Sequence, residues 1–160
     1  MMNKFCLGTV QFGLNYGIAN KTGKPSLQKS LEMLNYAYDN GIRWFDTAQA
    51  YGNAEEILGE FFSGRDDLEN SHVISKLLPH AFDKKGEYVF KDVEESIRSS
   101  LKLMNLKQLD GFLFHTPEYI YREDIVEQMI ACREKGIVKH IGVSIYEVEH
   151  AIDAAKMDWV

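Results

Sequence analysis

The 160-residue chain is poor in cysteine, in proline and in unbroken apolar sequence, and each scarcity excludes something. Its two cysteines, Cys6 and Cys132, stand far apart and in no metal-ligand spacing. A disulfide framework is therefore not expected, and a reduced, cytoplasmic setting fits. His72, His80, His140 and His150 show no ligand spacing either, so no metal site is expected. No apolar run approaches the roughly 20 residues of a membrane-spanning helix. The start, Met1–Gly13, lacks the sustained apolar stretch of a signal peptide. No membrane partner is expected on these grounds. Basic charge is in deficit, with 18 Lys and Arg against 24 Asp and Glu, so the basic face that a nucleic acid requires is not expected. The charges are interleaved and read as solvated helix faces. With three prolines and no polar linker, residues 1–160 read as a single domain.

What is present is a regular alternation. Short β-rich runs at Phe5–Val10, Ile42–Asp46, His72–Lys76, Leu109–His115 and His140–Ser144 are separated by helical patterns. A Gly-rich loop, Gln11–Pro25, follows the first run. Ser26 reads as an N-cap; Leu27, Leu31, Leu34 and Tyr38 share one helical face; and Gly41 stands where a helix C-terminus favours glycine. Asn53 with Glu56 three residues on approaches a capping box, ahead of Ile57, Leu58, Phe61 and Phe62, and Gly64 ends that helix. Val89, Val93, Ile97 and Leu101 recur every fourth residue. Ile125, Met129 and Cys132 mark a further helix closed by Gly136, and Glu147–Lys156 a last one. Asp158–Val160 reads as the beginning of a strand. Met33, Met104 and Met129 fall on helix faces and read as core, and Trp44 reads as packing.

Strands alternating with helices imply parallel pairing through right-handed crossovers. Two architectures fit, an open doubly wound sheet or a (β/α) barrel, and the pattern does not choose between them. A (β/α)8 barrel typically takes about 250 residues. On that reading the chain is the truncated N-terminal portion, with five to six strands.

In either architecture the chemistry collects at the C-terminal ends of the strands. Asp46 ends the second, Tyr51 lies five residues on in the following loop, Lys76 ends the third and His115 the fourth. Taken singly each has a plain structural account: Asp46 as a capping or loop residue, Tyr51 as a packed surface tyrosine, His115 before Thr116-Pro117 as the start of a turn. An interior lysine such as Lys76 needs a partner. Delivered together to one rim, the four have a definite chemistry. A phenol titrates near 10 unperturbed, a nearby ammonium favours its phenolate, and a histidine can hydrogen-bond a carbonyl oxygen. That set can protonate a carbonyl, or run the reverse on an alcohol.

The segment Trp44-Phe45-Asp46-Thr47-Ala48-Gln49-Ala50-Tyr51-Gly52-Asn53-Ala54-Glu55 resembles the aldo-keto reductase signature. Ile74-Ser75-Lys76 resembles that family's third strand, and Leu109-Asp110-Gly111-Phe112-Leu113-Phe114-His115 its fourth. Gly136–Ser144 resembles the approach to its fifth, and Leu7–Gly13 its first. The match runs in order through essentially the whole chain. The pattern Gly13-Leu14-Asn15-Tyr16-Gly17-Ile18 resembles a bacterial subgroup.

This resemblance implies an N-terminal portion of a (β/α)8 TIM barrel and an NAD(P)H-dependent reduction of an aldehyde or ketone. It implies Tyr51 as proton donor, Lys76 as the ammonium beside it, Asp46 as the lysine's anchor and His115 as the carbonyl-orienting residue. The implied cofactor is NADPH, with NADH the alternative, and no metal. Gly8, Thr9, Asp46 and Ser144 match positions near the cofactor. Ile145 stands where the family commonly has an asparagine that grips the carboxamide. The family's last two strands carry most of the cofactor contacts, so weak or no NADPH binding is expected of residues 1–160 alone. Two other readings stand beside this one. One is a Schiff-base lyase using Lys76. The other is a non-catalytic half-barrel that associates with itself or a partner through open sheet edges.

Overall fold

In the computed structural model, which describes residues 5–68, 70–83 and 90–160, the five expected strands form one parallel sheet. They are β1 (Cys6–Gly8), β2 (Trp44–Asp46), β3 (His72–Lys76), β4 (Leu109–Phe114) and β5 (Val138–Val143). The spatial order is β1-β2-β3-β4-β5, the same as the order in sequence. That observation decides between the two architectures. A doubly wound sheet reverses direction at a switch point, whereas here every right-handed crossover steps the same way and sends every helix to one face. The result is a barrel wall, with helices outside and a helix-free inner face.

The helices are α1 (Val10–Gly13), α2 (Leu27–Asp39), α3 (Ala54–Ser63), α4 (Val93–Leu103), α5 (Glu123–Glu134) and α6 (Val148–Ala154), with a 3₁₀ turn at Pro117–Tyr121. Ser26 caps α2 as expected, its hydroxyl accepting from the Lys29 N–H at 3.2 Å. Gly41 (φ +93°) ends α2: its N–H reaches the Tyr38 carbonyl and the Ile42 N–H the Ala37 carbonyl. This paired closure consumes Ile42, which is why β2 starts at Trp44 rather than at Ile42. Gly136 (φ +69°) closes α5 in the same way, through Gly136 to Arg133 and Ile137 to Cys132.

Several expectations are corrected. β1 stops at Gly8 because Thr9–Gly13 turns into α1, with Phe12 N–H bonded to Thr9 O. Asn53 forms no capping box, since its carboxamide oxygen takes the Lys24 ammonium instead. Asp92 caps α4, accepting from Glu95 N–H at 2.8 Å; Val89, expected in that helix, lies outside the described residues. Asp158–Val160 is a turn rather than a strand. Trp159 packs edge-on against Phe114 at 5.9 Å and its carbonyl accepts from Arg133, so the segment folds back onto the core. Met104 and Met129 are fully buried, but Met33 and Leu27 of α2 are exposed. Trp44 is half-buried and stacks on His72 at 4.4 Å.

Strand register sorts the side chains. Gly8, Asp46, Ile74, Gly111 and His140 are laterally paired and face inward; Leu7, Phe45 and Val73 form the alternate row that meets the helices. Phe45, Phe112 and Phe114 in that outward set are fully buried with Leu34, Leu58, Ile97 and Met129 from the helices. Each such side chain contributes about 1.5–3 kcal/mol of burial. Helix packing is close where Gly59 of α3 meets the end of α4: a Cβ there would lie 2.1 Å from the Leu103 carbonyl oxygen. Gly59→Ala is accordingly expected to cost about 1–3 kcal/mol, read as a lowered urea midpoint. Gly64→Ala, whose added Cβ would meet nothing nearer than 3.4 Å, should leave the midpoint almost unmoved.

Candidate active site

Asp46 is the last residue of β2, Lys76 the last of β3, and His115 follows the last residue of β4. Lys76 pairs with Leu113, so inward parity carries on to His115 one step up the next strand. Tyr51 reaches the same rim from a tight turn in which Tyr51 N–H bonds Ala48 O and Ala54 N–H bonds Tyr51 O. Gly52, at φ +57°, completes the turn.

The Lys76 ammonium is the centre of the group. It is almost fully buried, and its Nζ donates to both Asp46 carboxylate oxygens, at 2.7 and 2.8 Å, and to the Thr47 carbonyl at 2.9 Å. The Tyr51 phenol oxygen lies 3.4 Å from the same nitrogen. The Tyr51 ring stands edge-on to His115, with centroids 5.9 Å apart. Burial, and next the Lys76 ammonium, push the His115 imidazole below the usual histidine range, so it is neutral at pH 7. Its Nδ1 is buried and has no partner among the described residues. A hollow of about 310 Å³ opens beside it, lined by Pro79, His80, Thr116, Glu118 and Tyr146. A larger hollow, about 850 Å³, lies between residues 17–25 and α2 and includes none of the four. Of the four rim residues, His115 lines the smaller one.

The expected cofactor residues are placed less uniformly. A Cβ at Gly8 would touch nothing within 4 Å, so the end of β1 is open on its inner side. Thr9 is fully buried, its hydroxyl donating to the Asp46 carbonyl at 3.0 Å; in this arrangement it holds the Asp46 backbone. Ser144 follows β5, its N–H bonded to Phe114 O, and its hydroxyl makes no hydrogen bond to other described residues. No cluster of three or more metal-ligating side chains occurs among the described residues.

A family model for the aldo/keto reductase family matches residues 4–160. The chain belongs to the aldo-keto reductase family. Methylglyoxal reductase DkgA of Salmonella typhimurium is 30% identical over 129 residues, covering 79% of this chain and 44% of that protein. D-arabinose 1-dehydrogenase of Saccharomyces cerevisiae is 25% identical over 156 residues, covering 92% and 47%. A putative aldo-keto reductase from Pseudomonas aeruginosa superposes with a TM-score of 0.74 at 25% identity, over 94% of this chain and 58% of that one. An aldo/keto reductase from Klebsiella pneumoniae, solved with NADP and acetate, superposes at 0.70 and 25% identity, over 95% and 49%. The chain thus spans less than half the length of these curated relatives, and its five strands correspond to the N-terminal part of the aldo-keto reductase barrel.

Behind the four rim residues lies a polar row that sequence reading passed over. Glu55 of α3 is buried, accepting from Ser75 Oγ at 2.5 Å and Ser100 Oγ at 3.2 Å, and burial raises its carboxyl above the usual range. Ser96 and Ser100 are fully buried on α4, spaced four apart within the apolar stripe of Val93, Ile97 and Leu101. That spacing is the available signal: a serine pair on a core face requires a polar partner. At the opposite end of the strands, burial favours a raised Asp110 carboxyl, but hydrogen bonds from Lys139 and His72 outweigh it and hold the group low. The N-terminal face of a barrel is a place for stability rather than catalysis.

Proposed function

We propose that the full-length protein is an NAD(P)H-dependent oxidoreductase that reduces an aldehyde or ketone to an alcohol. The carrying observation is the Lys76 ammonium, held by both oxygens of Asp46 with the Tyr51 phenol against it. In this reading Tyr51 gives its proton to the carbonyl oxygen, and the Lys76 ammonium stabilises the phenolate left behind. Asp46 fixes the ammonium in place. His115 is neutral, and leaving a buried N–H without an acceptor costs about 1–3 kcal/mol, so its proton sits on Nε2 rather than on Nδ1. Nε2–H then donates to the substrate carbonyl and aims it at Tyr51.

The nicotinamide supplies the hydride when bound, and NADPH is the proposed cofactor, with NADH the alternative. The residues present fit it: the inner side of Gly8, laterally paired with Asp46, is open, and the Ser144 hydroxyl is uncommitted among the described residues. Thr9 acts by holding Asp46 in place. The name of the Salmonella relative supports small aldehydes such as methylglyoxal as the first substrates to try. Catalysis by Schiff base is disfavoured, because an ammonium donating to three oxygens keeps no lone pair for attack. No described helix is long and apolar enough to cross a membrane.

The test is direct. Full-length protein given NADPH and a panel of aldehydes should consume NADPH, followed by loss of its absorbance, in proportion to alcohol formed. If neither NADPH nor NADH is oxidised with any aldehyde or ketone tried, the reading is wrong.

A further inference from the structure

Beyond the strand ends, the pairing of β2 with β3 does not stop. Thr47 N–H donates to Ile74 O at 2.8 Å and Gln49 N–H to Lys76 O at 3.2 Å, continuing the parallel ladder. The next rung would be Leu78 N–H to the Gln49 carbonyl. By then the Gln49 backbone has entered the turn that carries Tyr51, and the rung is made by its side chain instead: Leu78 N–H donates to Gln49 Oε1 at 2.7 Å. The amide nitrogen is occupied too. The two Nε2 N–H groups face three acceptors on α4, the Ser96 carbonyl at 3.0 Å, the Ser96 hydroxyl at 2.8 Å and the Ser100 hydroxyl at 3.0 Å. One side chain therefore ties three segments: the Tyr51 turn, the chain leaving Lys76, and α4.

We propose that Gln49 is a positioning residue for the reaction, its amide replacing a strand rung so that the Lys76 ammonium stays within reach of the Tyr51 phenol. Lys76 and Tyr51 come from different segments and approach to 3.4 Å only at their side-chain ends, so a small shift of either backbone separates them. Gln49 grips the chain leaving Lys76 at two successive peptide units, taking the Lys76 carbonyl with its backbone N–H and the Leu78 N–H with Oε1. The far end of the same polar row fixes the preceding residue, since Ser100 and Ser75 both donate to Glu55. Lys76 is thus bracketed on both chain sides through α4. Serine and glutamine are fitting partners: Ser75, Ser96, Ser100 and Glu55 are buried, and both polar atoms of the half-buried Gln49 amide are satisfied among its neighbours.

The inference rests on the proton-transfer role proposed for Tyr51 and Lys76, and the test separates the two. In full-length protein, kcat and KM for NADPH-dependent aldehyde reduction are measured for Gln49→Met, Lys76→Met, the double variant and Tyr51→Phe, together with thermal midpoints. Gln49→Met should lower kcat about tenfold or more with KM almost unchanged, the signature of misplaced reacting groups. In the Lys76→Met background the same change should lower the residual rate by less than about twofold, because groups acting through one another are not additive. A merely structural glutamine would lower the rate by the same factor in both backgrounds. Gln49→Glu keeps the acceptor for Leu78 N–H but sets an oxygen against the Ser96 carbonyl, so its kcat should fall between those of the unmutated protein and Gln49→Met, which also covers the case in which the methionine variant does not fold. The proposal is overturned if Gln49→Met leaves kcat within twofold, if its loss persists undiminished without Lys76, or if Gln49→Glu is as slow as Gln49→Met. An active Tyr51→Phe enzyme would instead sink the underlying mechanism.

Discussion

Tyr51→Phe is expected to lower kcat for aldehyde reduction by the full-length protein about 10²- to 10⁴-fold, the range supplied by a positioned general acid. The substitution removes one oxygen. The ring, which stands edge-on to His115, is kept, and among the described residues the hydrogen bond lost is the 3.4 Å contact from Lys76. Stability should therefore stay within about 0.5 kcal/mol, as for a change that leaves no buried polar group stranded. KM should hardly move, since the phenol acts at the transition state. Lys76→Met should give a comparable loss of kcat by another route, because the phenol stays and the charge beside it goes. That variant also strips Asp46 of its partner. The Asp46 side chain is about one-third exposed (34%), so water can take over part of the lost pairing and the protein should still fold. A Tyr51→Phe enzyme with kcat within threefold of the unmutated one would remove Tyr51 from the proton path.

Much of this was legible in the sequence because it depends on local rules. β3 has the bounds expected from its apolar alternation, and Ser26, Gly41 and Gly136 cap and close helices where their side chains, or lack of one, require. The four rim residues could be named because Asp46, Lys76 and His115 stand at the ends of consecutive strands and Tyr51 in the loop after the first of these, and in a sheet of sequential order consecutive strands are neighbours. What was not legible is what depends on distant partners. Asn53 and Glu56 have the spacing of a capping box, but a lysine 29 residues earlier claims the asparagine. Trp159 has the β propensity of a strand residue, yet its indole is drawn onto Phe114 and the segment turns. Gln49 looks like one polar loop residue among several. Its importance arises only when α4, 47 residues downstream, places Ser96 against its amide. The barrel order itself is tertiary information, since helix and strand periods are the same in both architectures.

Gly13→Ala is expected to be the most damaging single-methyl change in the described chain, although Gly13 touches no substrate. Gly13 ends α1 and lies directly against the Tyr51–Gly52 peptide. A Cβ on it would fall 1.6 Å from the Tyr51 carbonyl oxygen and 2.9 Å from the Ala54 nitrogen. Gly52 meets the same contact from the other side, its own added Cβ falling 2.4 Å from the Gly13 oxygen. Two backbones are thus in contact with no room for any side chain between them, and both atoms that would be struck are main-chain atoms that cannot rotate away. The methyl group must move either α1 or the turn that carries Tyr51. Overpacking of this kind costs about 1–3 kcal/mol and sometimes more. A displacement of about 1 Å at the phenol costs about 10²-fold in rate. Gly59→Ala provides the comparison, because it overpacks α3 against α4 away from the rim. Both variants should lower the urea midpoint, but only Gly13→Ala should also lower kcat in protein that remains folded. Equal kcat in the two folded variants would show that the Tyr51 turn yields without moving the phenol.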